Sequence, residues 1–208
     1  INNELSFDAQ LILFRYFLGE IGIQELKTLG KELNETDYEG LDEGGNTFFY
    51  SYIRQVCERK GCQISKDKLK EYDENILRHT KHIASKRGGI KWKYFQYVSL
   101  LFTEMYLDRY FADKIAFCAD LNTWLDKLRT DTLGALNFSD YSVEQLHKLA
   151  YMCATGSGKT LIMHVNILQF MHYLKRAQRI NSQIKINRII VLSPNEGMSQ
   201  QHLQELEL

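Results

Sequence analysis

Residues 148–160 read KLAYMCATGSGKT: a short apolar run that ends in a glycine-rich turn and leads into a helical pattern over 159–176. A second apolar run, RIIVL at 188–192, is rich in β-branched residues and is soon followed by Pro194. An amphipathic segment over 197–208 comes last. Strand, helix, strand and helix in this order are typical of a parallel sheet. We therefore expect an α/β fold with parallel strands in this part of the chain.

The chain before this region has helical periodicity. Apolar residues at intervals of three and four predict helices over 2–22, 47–60, 66–87, 92–113 and 114–129. A single proline in 208 residues is consistent with long helices. Ser65 and Gly88 stand where the caps of one of these helices are expected. The sequence thus predicts a helical N-terminal region over 1–135 and the start of a different, α/β domain over 136–208.

The charge balance excludes a strongly basic nucleic-acid-binding domain. The sequence has 26 Lys and Arg against 26 Asp and Glu, and its formal net charge is zero, so any polyanion must be held by a local patch. No apolar run reaches the roughly 18 residues of a membrane-spanning helix, and the N-terminus does not resemble a signal peptide. The four cysteines have neither zinc-site nor disulfide-framework spacing. We expect a cytoplasmic protein with free thiols.

The glycine-rich turn has the composition of a phosphate-binding loop. Backbone N–H groups can surround a triphosphate only where no Cβ intrudes and φ can be positive, which the glycines allow. The following helix directs its unpaired N–H groups and the positive end of its dipole at the same oxygens. In such loops the Lys bridges the β- and γ-phosphates and the next hydroxyl ligates Mg²⁺. The predicted nucleotide-binding residues are Thr155, Gly156, Ser157, Gly158, Lys159 and Thr160.

Within this set, Lys159 and Thr160 are the predicted catalytic residues, and Thr160 is the predicted Mg²⁺ ligand. The nucleotide is expected to be ATP. Cys153 stands where the strict pattern has its first glycine, five positions before Gly158. The alternative is a glycine-rich helix-capping turn with a solvated lysine.

At this point the sequence resembles the superfamily 2 helicases and translocases of the DEAD/DEAH type. Their motif I reads Ala-x-Thr-Gly-Ser-Gly-Lys-Thr, and their motif Ia is a strand ending in Pro, followed by a polar loop and a Gln that opens a helix. The runs at 152–160, 194–197 and 94–111 are similar to the helicase-type subunits of type III restriction enzymes. The resemblance covers residues from about 73 to the C-terminus.

This resemblance implies that residues 136–208 begin a RecA-like P-loop domain that stops after motif Ia. It implies that the protein is an ATP-dependent DNA helicase or translocase, and thus a hydrolase. Its ligands would be ATP, Mg²⁺ and DNA, and its partner a modification methyltransferase subunit. Hydrolysis also needs a carboxylate that orients water and an arginine at the γ-phosphate, and neither motif is found in this sequence. We therefore expect the chain to be an N-terminal fragment that hydrolyses ATP poorly by itself.

The resemblance also assigns residues outside the phosphate loop. It places one nucleic-acid strand against the loop after the second apolar run, at Pro194, Asn195, Glu196, Gly197, Ser199 and Gln201. Backbone N–H groups and a hydroxyl can donate to phosphate without reading bases, but an ordinary turn capped by Asn195 is an equal alternative. Members of the superfamily bind adenine through an upstream Gln, and Gln96 is the candidate because an amide both donates and accepts. Otherwise Gln96 lies on a solvated helix face.

A basic cluster without acidic residues occupies 81–93. It could be a solvated helix end, a nucleic-acid contact in which Trp92 stacks on a base, or a contact to ATP. Two further functions remain open for the chain as a whole. It could be a P-loop NTPase that is not a nucleic-acid motor, or a regulatory module whose helices over 1–130 dock a partner.

Overall fold

The computed structural model describes residues 10–34, 38–132, 138–192, 196–197, 199–200 and 202, with the side chains at 26 and 87 excepted. The described part is helical. Its helices are α1 (Ile12–Glu20), α2 (Leu26–Leu33), α3 (Phe48–Lys60), α4 (Lys66–Arg87), α5 (Tyr94–Asp131) and α6 (Lys159–Ile180), with a 3₁₀ turn at Gln145–His147 between the last two.

Local capping sets several helix ends. The hydroxyl of Thr47 accepts a hydrogen bond from the N–H of Tyr50 at the start of α3, and Ser65 caps α4 in the same way. Gly61 and Gly88 follow α3 and α4 with φ of 68° and 90°, in the left-handed region that favours glycine. The helices predicted over 47–60 and 66–87 are therefore confirmed.

Helix α5 consists of two helical stretches joined at Asp113. This residue has non-helical φ and ψ of −159° and 93°, and its carboxylate accepts hydrogen bonds of 3.0 Å from the N–H groups of Ile115 and Ala116. Asp113 thus acts as the N-cap of the second stretch, at a kink between the two. The sequence prediction of two consecutive helices, over 92–113 and 114–129, is confirmed.

Helices α4, α5 and α6 pack against one another, and α1, α2 and α3 cover their sides. The α1 ring of Phe17 lies 5.6 Å from Phe102 of α5, measured between ring centroids. Asp73 of α4 is fully buried and accepts hydrogen bonds from the N–H and hydroxyl of Thr47 and from the hydroxyl of Tyr97. One carboxylate therefore joins the start of α3 to both α4 and α5.

The predicted α/β fold with parallel strands is wrong. Among the described residues the only β pairing is an isolated antiparallel bridge between Leu41 and Thr47, and no RecA-like sheet is present. Both apolar runs, 148–153 and 188–192, lack regular secondary structure and strand pairing, and Ile190 and Leu192 are 76% and 90% exposed. An apolar β-branched run becomes a strand only where a second strand completes its hydrogen bonds, and the described part of the chain places none beside either run.

No helix in the described ranges has both the length and the apolar character needed to cross a bilayer.

Candidate phosphate-binding site

The backbone conformation of the turn between residues 153 and 158 depends on two glycines. Gly156 has φ of 77° and Gly158 has φ of 82°, values that other residues adopt only with strain. The N–H of Ser157 donates to the carbonyl of Ala154 over 3.2 Å and closes the turn. The sequence prediction of a loop that requires glycine is consistent with this backbone.

Helix α6 begins directly after this turn with its first N–H groups available to a ligand. Gly158 is its N-cap residue, and no side chain caps it, whereas Thr47 and Ser65 cap α3 and α4. The first N–H groups of a helix have no acceptor within the helix. They and the positive end of the helix dipole favour an anion at this position.

The Lys159 ammonium lies across the mouth of the turn. It is exposed and donates to the carbonyl oxygens of Cys153 and Ala154, at 3.1 Å each. Because Cys153 contributes only its backbone carbonyl to this contact, the absence of the usual first glycine does not disturb it. The turn, the first residues of α6 and the ammonium of Lys159 are therefore adjacent, and the neighbouring Thr160 is half-buried.

Gln96 is brought to the phosphate loop from 61 positions away in sequence. Its amide N–H₂ donates to the carbonyl of Ser157 over 2.8 Å, and its oxygen accepts from the N–H of Lys93 over 2.9 Å at the start of α5. A Cβ at Gly158 would lie 2.6 Å from the Gln96 nitrogen. Gln96 is half-buried here, so it does not lie on a solvated helix face. One hydrogen and one lone pair of its amide remain for another partner.

Two cavities border the loop. One of about 470 Å³ lies between the loop, α1 and α5, with Phe14, Phe102 and Ser157 in its wall. The other, of about 630 Å³, lies between Lys159, the first turns of α6 and the side chains of Ile189 and Leu192. The walls of both are mostly apolar, so neither adds further ligands for phosphate. The hydroxyl of Ser157 is enclosed and has no hydrogen-bond partner among the described residues.

A buried polar cluster fixes α6 against α4 and α5. Glu104 of α5 is fully buried, and its Oε2 accepts hydrogen bonds from the Tyr173 hydroxyl at 2.7 Å and the Asn75 amide at 3.0 Å. Burial raises the pKa of Glu104 to about 7, and these hydrogen bonds oppose the rise. Its Oε1 and the Oε1 of Gln169 both lack partners within the described structure. Glu104 therefore retains its proton to higher pH than an exposed glutamate does.

Sequence reasoning missed this cluster. The signal was a single carboxylate within the apolar stretch 100–107, since an acidic residue on a buried helix face needs polar partners. The nearby Asp108 accepts a hydrogen bond from the Tyr72 hydroxyl and forms ion pairs with Lys68 and Arg176. Both groups stabilise the helix that carries the phosphate loop, and neither touches the loop.

The predicted nucleic-acid contacts are only partly described. Pro194, Asn195 and Gln201 lie outside the described residues. Glu196 and Gly197 form an exposed helical turn, and Ser199 is half-buried. The accessible backbone at 196–197 is compatible with a phosphate contact and equally with an ordinary turn.

The basic cluster over 81–93 cannot stack a base on Trp92. That side chain is 5% exposed, and its indole N–H donates to the hydroxyl of Thr80 over 2.8 Å. Trp92 instead anchors the segment between α4 and α5 to the core. Lys93 forms an ion pair of 2.8 Å with Glu39, while Lys81 and Lys91 are exposed.

Comparison with models of protein families, with curated proteins and with solved structures gives no match. Within the described ranges, no group of three or more His, Cys, Asp or Glu could hold a metal ion. Magnesium bound with a nucleotide commonly takes only one or two protein ligands, and the phosphates and water supply the others. A threonine hydroxyl directly after the lysine, as at Thr160, is the group that phosphate-binding loops commonly use for this purpose.

Proposed function

We propose that this chain binds the triphosphate of ATP, together with Mg²⁺, at residues 153–160. The observation that supports this is that three features occur together in one loop: two glycines with positive φ, a helix N-terminus without a side-chain cap and the ammonium of Lys159 held against the loop. Each is a known means of holding an anion, and together they match the demands of a polyphosphate.

In this proposal the N–H groups of Gly156, Gly158, Lys159 and Thr160 donate to phosphate oxygens, while that of Ser157 keeps the turn closed. Lys159 exchanges its two loop carbonyls for phosphate, and the Thr160 hydroxyl ligates Mg²⁺. The metal would neutralise charge on the phosphate oxygens when bound. Lys159 and Thr160 are thus the residues that would stabilise developing charge in a hydrolytic reaction.

Gln96 is proposed to contact the adenine base. Its contact with Ser157 keeps its amide beside the loop, and the remaining hydrogen and lone pair of that amide match a donor and acceptor pair on the adenine edge. Specificity for ATP over other nucleoside triphosphates would depend on this contact.

We further propose that the chain is the ATP-binding part of a cytoplasmic ATP-dependent DNA helicase or translocase, similar to the helicase-type subunits of type III restriction enzymes. The resemblance to motifs I and Ia supports this, and a modification methyltransferase subunit is the corresponding partner. DNA would contact the segment 194–201, of which Glu196 and Gly197 are exposed. Appreciable hydrolysis would require the whole protein.

The ATP proposal is tested by titrating a fluorescent ATP analogue with MgCl₂ and measuring anisotropy. Hydrogen bonds to charged groups contribute about 1.5–3 kcal/mol, so Lys159→Ala should weaken binding by roughly 10- to 100-fold. Lys175→Ala is the matched control, because Lys175 is exposed on the same helix. Equal affinity of the Lys159→Ala protein and the wild type would rule out the proposed site.

The motor proposal needs a separate assay on the whole protein. Double-stranded DNA should increase its rate of ATP hydrolysis, and Lys159→Ala should abolish both the basal and the stimulated rate. ATP hydrolysis that does not respond to DNA would instead favour an NTPase that is not a nucleic-acid motor.

A further inference from the structure

Cys57 and Cys62 lie together at the C-terminal end of α3, in a part of the fold that the proposed ATP site does not use. Gly61 has φ of 68°, and the N–H groups of Gly61 and Cys62 both donate to the carbonyl of Cys57, at 2.9 and 3.3 Å. In this type of helix end, the residue after the glycine packs its side chain against the last helical turn. The capping geometry therefore brings the two thiols together.

The two sulfur atoms lie against the same turn after α1, that of Cys57 beside Ile21 and that of Cys62 beside Gly22. Both residues are partly exposed to solvent. With standard bond lengths, the 3.3 Å contact between main chains limits the Cα–Cα separation to at most about 7 Å. A disulfide requires roughly 4.4–6.8 Å, so little backbone movement would be needed.

The turn that follows α1 encloses the pair from the other side. The thiol of Cys57 donates weakly to the carbonyl of Ile21, with the sulfur 3.7 Å from the oxygen. The sulfur of Cys62 would lie 2.8 Å from a Cβ at Gly22, so a larger residue there would displace it. Gly22 also accepts a hydrogen bond from the Lys60 ammonium through its carbonyl.

We propose that Cys57 and Cys62 are an oxidation site, at which a reversible intrachain disulfide forms by exchange with a small-molecule disulfide. One protein thiolate attacks the S–S bond of the small disulfide, forms a mixed disulfide and releases one small thiolate. The second protein thiolate then attacks the mixed disulfide, forms the Cys57–Cys62 bond and releases the other small thiolate. Two electrons pass from the protein thiols to the small disulfide, and the two protons end on the released thiols.

Burial raises the pKa of the Cys57 thiol, which disfavours its thiolate, the reactive form. Formation of the disulfide removes the S–H group that Cys57 donates to Ile21. Oxidation thereby loosens one contact between α3 and the end of α1.

The test exposes the full chain to glutathione disulfide, alkylates the remaining thiols, digests with trypsin without reduction, and examines the peptides by mass spectrometry. Trypsin cuts after Arg59 and Lys60 and so separates the two cysteines into peptides 55–59 and 61–66. The expected product is these two peptides joined by a disulfide and released by reduction. Protein molecules that carry the mixed disulfide with glutathione should stay below about a tenth of the total. The second step is intramolecular and therefore consumes this intermediate quickly.

The variants Cys57→Ser and Cys62→Ser are the matched controls, and each should retain glutathione on its remaining cysteine. Gly61→Ala should slow the crosslink by about tenfold, since it strains the cap that brings the thiols together. Stable glutathione on both cysteines without a linked peptide would overturn the proposal. So would full alkylation of both thiols, a crosslink to Cys118 or Cys153 instead, or an unchanged rate in the Gly61→Ala protein.

Discussion

The contact between Gln96 and the phosphate loop predicts a specific non-additive effect of two mutations. Gly158→Ala places a methyl group 2.6 Å from the amide nitrogen of Gln96, at a position whose φ is 82°. The side chain of Gln96 must then move, and its hydrogen bond to the carbonyl of Ser157 is lost.

The free-energy cost has two parts. An alanine in the left-handed region costs about 1 kcal/mol relative to glycine, and loss of one hydrogen bond costs about 1 kcal/mol. Gly158→Ala should therefore lower the free energy of unfolding by about 2 kcal/mol. Gln96→Ala loses the same hydrogen bond and also the one that its oxygen accepts from the N–H of Lys93, and should cost about 2 kcal/mol. Because the hydrogen bond to Ser157 is lost only once, the double variant should cost about 3 kcal/mol rather than 4.

Urea unfolding followed by far-UV circular dichroism, without nucleotide, measures all four proteins. Gly156→Ala provides the matched control, because Gly156 has φ of 77° but no atom within 4 Å of the Cβ position. It should cost only the backbone strain of about 1 kcal/mol, and its effect should add to that of Gln96→Ala. Additive effects at Gly158 and Gln96, to within about 0.3 kcal/mol, would refute the contact as the cause.

Three further outcomes are expected. The pKa of Glu104 is raised from 4.5 to about 7, so between these pH values the folded protein keeps a proton that the unfolded chain releases. The free energy of unfolding therefore falls as pH rises through this window, by about 3 kcal/mol in all. In Glu104→Gln this fall should largely disappear in urea unfolding at pH 5 and pH 8, and an unchanged slope would assign the pH dependence to another group. Asp113→Ala removes the cap inside α5 and should lower stability by about 1 kcal/mol in the same assay, whereas no change would show that the cap is dispensable. Gln96→Ala should reduce the preference for ATP over GTP in competition binding by about tenfold, the equivalent of one hydrogen bond; undiminished preference would exclude the adenine contact.

Much of the helical structure follows from the sequence because its determinants are local. The ends of α4 were predictable from Ser65 and Gly88, and the break within α5 from the change of pattern after Asp113. A capping side chain bonds to N–H groups two or three residues away, so its effect does not depend on the rest of the fold. The turn at 153–158 is local in the same sense, since Gly156 and Gly158 permit its backbone wherever it lies.

The features that the sequence did not predict depend on contacts between residues that are distant in sequence. Hydrophobic pattern identified 148–153 and 188–192 as apolar and β-prone, but a strand exists only where another strand pairs with it, and the described residues provide no such partner. Trp92 looked suited to stacking on a base, yet Thr80 and the core enclose it. Gln96 meets Ser157, and Glu104 meets Tyr173, across 61 and 69 positions. Contacts between residues so distant in sequence form only when the helices pack against one another. Packing also excludes water from both side chains, and this decides which residues are buried.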